Sequence, residues 1–178
     1  MKLVVTHTGI AWRGRLIHGG RSYPCALGRS GIHAGKREGD GRTPAGEFAL
    51  RYVLYRPDRM RRPKTALPVK PISLPDGWCD DARHSAYNQP VRLPIPASAE
   101  RLRRSDHVYD LIVVIGHNDA PPIRGNGSAI FLHIARWNLA PTAGCIALKR
   151  ADLRAILAQC DSRSRIVIGR EGQPGPLT

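Results

Sequence analysis

Residues 130–148, IFLHIARWNLAPTAGCIAL, set two short apolar runs on either side of a turn rich in Pro, Ala and Gly. Runs this short, closed off by turn residues, read as strands rather than helices. Side chains alternate along a strand, so in AIFLHI the imidazole of His133 shares a face with Phe131 and Ala129, and Leu132 points away. The same parity in CIAL puts Cys145 with Ala147 and sends Ile146 and Leu148 to the other side. If the two strands are neighbours, a thiol and an imidazole open onto one cleft.

The rest of the chain repeats this punctuated pattern. Residues 2–30 read as short strands, KLVV, GRLI and RSYPCALG, separated by glycines. A polar, Gly-rich connection over 31–47 leads into a strand over 48–54. From 55 to about 105 the chain is dense in Pro and Arg and carries the patch DGWCDDARHSAYNQPV. That is too long for an ordinary connection and reads as a functional loop or lid. DLIVVIG (110–116) is a near-continuous apolar strand of the kind found in a sheet interior. Leu153, Ile156, Leu157 and Cys160 follow helical spacing and mark one buried helix face, which accounts for Cys160 as a core residue. A closing strand, RIVIG, follows. The fold class is a β-dominated α+β domain over 1–178, with one main helix near the C-terminus. Cys25, in SYPCAL, reads as core.

Twenty-eight basic against fourteen acidic residues give a net charge of +14, which calls for an anionic partner or surface. The clusters RPDRMRRPK and RLRR raise the alternative of a nucleic-acid or anionic-polymer module. Only ten aromatics accompany them and no groove-reading motif is present, so nucleic acid is not expected as the main partner. No run approaches the roughly 18 apolar residues of a membrane span. MKLVVTHTGIAWRG holds no apolar core of a signal peptide, so the compartment is open between cell envelope and cytoplasm. Four scattered cysteines do not make a disulfide scaffold.

His133 beside Cys145 can take the thiol proton, and an imidazolium there would lower the thiol pKa and supply thiolate near neutral pH. Gly144 leaves the turn open, so that backbone N–H groups could face a developing oxyanion. A zinc site of His117, His133 and Cys145 competes with this reading, but those spacings match no compact ligand signature, and no metal is expected.

The chain resembles the L,D-transpeptidase catalytic domain (YkuD-type) family. The likeness rests on GDGRTPAGEF, the strand-borne His133, and TAGCIAL followed by the helix RADLRAIL. GHND, GSAIFLH and the WCDD…YN patch are similar to its proteobacterial branch. The resemblance implies a YkuD-like β-sandwich or barrel and a cysteine acyl transferase acting on peptidoglycan stem peptides, without cofactor. In it, Cys145 attacks the carbonyl of the third stem residue and expels the terminal D-alanine. His133 serves as base and then acid, and the Ile134 carbonyl orients its ring. An amine of a neighbouring stem resolves the thioester into a 3→3 cross-link; water would make the enzyme a carboxypeptidase or hydrolase. Carbapenem-type β-lactams are implied inhibitors, and the cell envelope is the implied location.

The family's common turn reads Ser-His-Gly-Cys, then Ile or Val, then Arg. Here it is Thr142-Ala143-Gly144-Cys145-Ile146-Ala147, so a His and an Arg are replaced by alanines. The substrate contacts are therefore expected from Thr142, His117, Asn118, Arg136, Trp78 and Tyr87. Asp80 and Asp81 read either as paired carboxylates for an amine or as a solvated loop pair.

Overall fold

The structure, a computed structural model, describes residues 1–169; the last nine residues of the expected 1–178 unit lie outside it. Fourteen strands and one α-helix make it up. The first three strands, β1 (Lys2–Thr8), β2 (Ile10–His18) and β3 (Arg21–Ala26), form an antiparallel meander. Next come the two-residue strands β4 (Ile32–His33) and β5 (Thr43–Pro44), paired parallel inside the Gly-rich connection. They are followed by β6 (Gly46–Tyr55), β7 (Val69–Pro71), β8 (Asp76–Cys79), β9 (Pro90–Arg92), β10 (Ala99–Arg101), β11 (Leu111–Ile115), β12 (Phe131–Ile134) and β13 (Ile146–Leu148). Helix α1 (Arg150–Leu157) and β14 (Arg165–Ile168) end the described chain.

The main sheet runs β11-β12-β13-β3-β2-β1-β14-β6-β7, and β6 also pairs with β11. That extra pairing closes eight strands into a barrel, with β7 appended alongside β6. Closure leaves no open edge among those eight strands. Strand β6 is the longest at ten residues, and it holds β11 on one side and β14 followed by β7 on the other.

The apolar run in β11 has a simple origin. Leu111, Val113 and Ile115 enter the main core with Leu3, Leu16, Leu132 and Ile146. Ile112 and Val114 enter a second core with Trp78, Tyr109 and Phe131. Each fully buried side chain of this kind contributes about 1.5–3 kcal/mol. Helix α1 buries Leu153, Ile156 and Leu157 in the main core, and Cys160 and Cys25 join it, as their spacing indicates.

Residues 55–105 are a long and mostly irregular connection, as expected, but not a featureless one. They contain β7 and a separate antiparallel sheet, β10-β8-β9, whose Trp78 packs edge-on against Phe131 at 5.1 Å. The basic clusters on its flank are partly engaged in ion pairs, and Arg61, Arg62, Lys64 and Arg101 stay exposed. Arg56 and Arg103 both reach Asp58, Arg104 forks onto Asp106, and Arg59 and Arg150 meet the fully buried Asp110. The Arg59–Asp110 pair ties the segment to the start of β11, the other pairs brace the segment locally, and the exposed cations leave part of its flank positively charged. Among the described residues no helix is long and apolar enough to cross a membrane.

Candidate active site

Strands β12 and β13 are parallel neighbours, with His133 opposite Ala147. Cys145 lies two residues before Ala147, on the same face. Both site residues line a cavity of about 500 Å³ whose walls also carry Gly144, Thr142 and Arg136. The inward residues of the same strands, Leu132, Ile134, Ile146 and Leu148, are locked in the main core.

The imidazole is held as a neutral base. His133 Nδ1 lies 3.0 Å from the Ile134 carbonyl; a carbonyl only accepts, so Nδ1 carries the proton and Nε2 keeps its lone pair. The ring also meets Tyr109 edge-on at 5.3 Å. Burial lowers the His133 pKa to about 4, the Ile134 carbonyl opposing and the charges of Arg136 and Arg104 assisting. Burial pushes the Cys145 thiol up to about 12, with the charge of Glu100 in the same direction and Lys36 and the Tyr109 hydroxyl against it. Its Sγ donates to the Ala129 carbonyl at 3.2 Å. Burial thus favours neutral thiol and neutral imidazole over the imidazolium–thiolate pair expected from sequence. Both groups are sealed, Cys145 at 7 % and His133 at 5 % exposure, and low polarity disfavours both charged forms.

The turn before Cys145 is braced by Thr142. Its hydroxyl donates to the Cys145 carbonyl at 2.7 Å and accepts the Gly144 N–H at 3.1 Å. Of the N–H groups in the Ala143-Gly144-Cys145 turn expected to face an oxyanion, that of Gly144 is bonded to Thr142, and Gly144 acts through its conformation. Its φ is +147°, and a Cβ there would sit 2.8 Å from the Arg42 carbonyl oxygen.

The other expected contacts lie off the cavity wall. Trp78 and Tyr87 are buried, at 5 % and 2 % exposure. Trp78 Nε1 donates to Asn88 Oδ1 at 3.0 Å, and the Tyr87 hydroxyl donates to Glu38 at 2.6 Å. Asn118 spends its amide on Ile123 and Gly127, clamping the 118–127 loop. His117 bonds Asn126 O at 3.0 Å and meets Phe48 edge-on at 5.5 Å. His117, His133 and Cys145 form no metal-ligating cluster.

Asn88 links these motifs and was not singled out in the sequence. Its Oδ1 accepts from Trp78 Nε1 and the Ala129 N–H, and its Nδ2 donates to the carbonyls of His117 and Asn118. One amide thus joins WCDD…YN, GHND and the residue whose carbonyl receives the thiol. Its own φ of +56° is a weak sequence cue, because Asn tolerates that region. Lys36 was also missed. It is 7 % exposed, lines the cavity, and donates to Asp40 at 2.6 Å and to the Arg37 carbonyl at 2.8 Å. Burial raises the Asp40 carboxyl, but Lys36 and the N–H groups of Arg42 and Arg37 outweigh it and hold it ionised. The GKREGDGR segment therefore folds around one carboxylate and delivers a cation beside the Cys145 turn.

Comparison with known proteins agrees with this arrangement at family level. Residues 11–168 match the family described as YkuD: L,D-transpeptidase catalytic domain. No curated protein matches the chain. A crystal structure of Mycobacterium tuberculosis L,D-transpeptidase 1 aligns with 16% sequence identity and a TM-score of 0.39, covering 95% of this chain and 62% of that one. The family match spans nearly the whole barrel, both strands of the site and the turn between them, and the chain belongs to the YkuD L,D-transpeptidase catalytic domain family.

Proposed function

We propose that this protein is a cysteine-dependent acyl transferase that cross-links peptidoglycan stem peptides in the cell envelope. The observation that carries the reading is the delivery of Cys145 and His133 to one cavity from adjacent strands, with His133 Nε2 left free to accept a proton. Because both groups rest neutral, the thiol proton passes to Nε2 as Sγ attacks, not beforehand. The S–C bond forms at the carbonyl of the third stem residue. The C–N bond to the terminal D-alanine breaks, and its amine leaves with the proton from His133. A second amine then attacks the thioester, His133 takes its proton, the C–S bond breaks, and Sγ recovers the proton. The cationic side of the cavity, Arg29, Lys36 and Arg136, suits the carboxylates of the stem.

The test is incubation of purified tetrapeptide muropeptides with the protein and with its Cys145→Ser and His133→Ala variants, read by mass spectrometry. A dimer lacking one D-alanine, lost by roughly 10³-fold or more in either variant, is the expected outcome. A tripeptide monomer alone would make the enzyme a carboxypeptidase. Product formation that does not depend on Cys145 would overturn the assignment.

A further inference from the structure

The cavity has an acidic side as well as a basic one. Glu100 pairs across the small sheet with Trp78, and Asp80 follows Trp78 by two residues with its N–H bonded to the Ser98 carbonyl. Strand parity places Trp78, Asp80 and Glu100 on one face, with Asp80 diagonal to Glu100. Trp78 turns that face against Phe131, and Asp80 and Glu100 reach the cavity wall beside Cys145. Asp81, the other half of the pair expected from sequence, points elsewhere and pairs with Arg83.

Among the described residues no cation is committed to these two carboxylates. Arg104, the nearby guanidinium, forks onto Asp106 at 2.8 and 2.7 Å and stacks over the Tyr109 ring. Asp80 Oδ1 is shielded from solvent and has no hydrogen-bond partner among the described residues. Independently, Ser128 lines the same cavity at 6 % exposure, and its Oγ also has no partner among them. Shielded polar atoms left without partners cost folding free energy; the Ser128 hydroxyl can donate or accept, but the Asp80 carboxylate oxygen only accepts, so its retention at a cavity wall points to a ligand that donates. Glu100 accepts from the Tyr109 hydroxyl at 2.8 Å on one oxygen and has the other available. Burial and the neighbouring Asp80 charge raise its pKa, against the Tyr109 bond and the Arg104 charge.

We infer that Asp80, Glu100 and Ser128 form a subsite for a primary ammonium group, and that its occupant is the acyl acceptor of the reaction proposed above. The inference rests on that reading for the identity of the amine. The acceptor is favoured over the donor by position. Glu100 is bonded to Tyr109, and Tyr109 packs against His133, the group that must take a proton from the attacking nitrogen. An ammonium held there sheds one proton to solvent and then stands between the base and the thioester.

The test uses the full chain with Cys145→Ser, so that binding is read without turnover. Two stem tripeptides are titrated by calorimetry, one with a free third-residue side-chain amine and one with that amine acetylated. The free amine is expected to bind about tenfold tighter or better. In the Asp80→Asn/Glu100→Gln background, whose amides keep shape and the Tyr109 acceptor, this preference should fall to about one. Equal binding of the two tripeptides, a preference that survives the double substitution, or an equal loss for both peptides would each overturn the subsite. To separate acceptor from donor, the active protein is acylated with an amine-blocked tetrapeptide and then given the free-amine tripeptide. A rise in half-saturating tripeptide in the double variant supports the acceptor assignment; slower acylation by an unblocked than a blocked donor, with no such rise, overturns it. Should Cys145 never acylate, the proposed reaction fails, while the calorimetric preference still decides the ammonium site.

Discussion

The two faces of β12 and β13 differ sharply although they alternate residue by residue. The inner face is aliphatic: Leu132, Ile134, Ile146 and Leu148, each at 6 % exposure or less within the closed barrel. The outer face carries Phe131, His133, Cys145 and Ala147 and meets a mixed wall of Tyr109, Trp78 and the rest of the small sheet. Cys145 and His133 are held in place without a hydrogen bond to each other; the thiol is bonded to Ala129 and the imidazole to Ile134. Their mutual position is set by strand register, and the register is set by the inner face, because a one-residue slip would exchange the two faces. Precision at the site is thus a property of the core behind it.

That division of labour can be broken from the inside. Leu132→Ala, adjacent to His133 but on the opposite face, should cost about 2–5 kcal/mol through lost transfer and a cavity. Chemical denaturation of variant and parent would read it as a lower midpoint at unchanged slope. If the variant lost turnover while keeping its stability, the two faces would not be independent in the way proposed. A smaller effect is expected from Asn88→Ala, which strips partners from Trp78 Nε1, the Ala129 N–H and two carbonyls. Leaving such groups unsatisfied should cost roughly 1–3 kcal/mol. It should also loosen the Ala129 carbonyl that receives the thiol, visible as faster hydrogen exchange at residues 117, 118 and 129. Unchanged exchange there would remove Asn88 from the outer face's support.

What was legible in the sequence follows the same division. A near-continuous apolar run exposed β11, period-two alternation exposed β12, β13 and the shared face of His133 and Cys145, and helical spacing exposed Leu153, Ile156, Leu157 and Cys160. These are signals written in neighbouring residues. Ala129 extended the alternation too far, because its φ of +52° ends the strand conformation and β12 starts at Phe131. The closure of β6 on β11 joins residues some sixty positions apart and leaves no local mark. The β8-β9-β10 sheet was hidden because three- and four-residue strands with Pro and Arg have too little period to detect. Asn88, Lys36 and Glu100 were missed for a related reason. Each acts through bonds or charges set up by the tertiary fold, in segments whose composition reads as loop. Burial works against the expected ion pair, and residue identity gives proximity but not the burial that decides which protonation states are favoured.

The protonation state is also where the comparison can be sharpened with the smallest perturbation. An imidazolium–thiolate pair would react with an alkylating agent at a rate that levels off between two pKa values, one below and one above neutrality. In this structure burial holds His133 near 4 and Cys145 near 12, so neither group titrates between pH 6 and 9. The thiolate fraction, and with it the alkylation rate of Cys145, should then climb about tenfold per pH unit across that range without a plateau. Cys25 and Cys160 are also buried with thiols pushed up to about 12, so the modified residue must be identified by peptide mass, not total label. A donor peptide that opens the cavity or brings its own charge would change the profile, and a plateau that forms only in its presence would place activation in the bound complex. A plateau already present in the free protein would mean that the outer face is wetter than the burial of Cys145 and His133 indicates. The inner aliphatic face would then position the pair without sealing it.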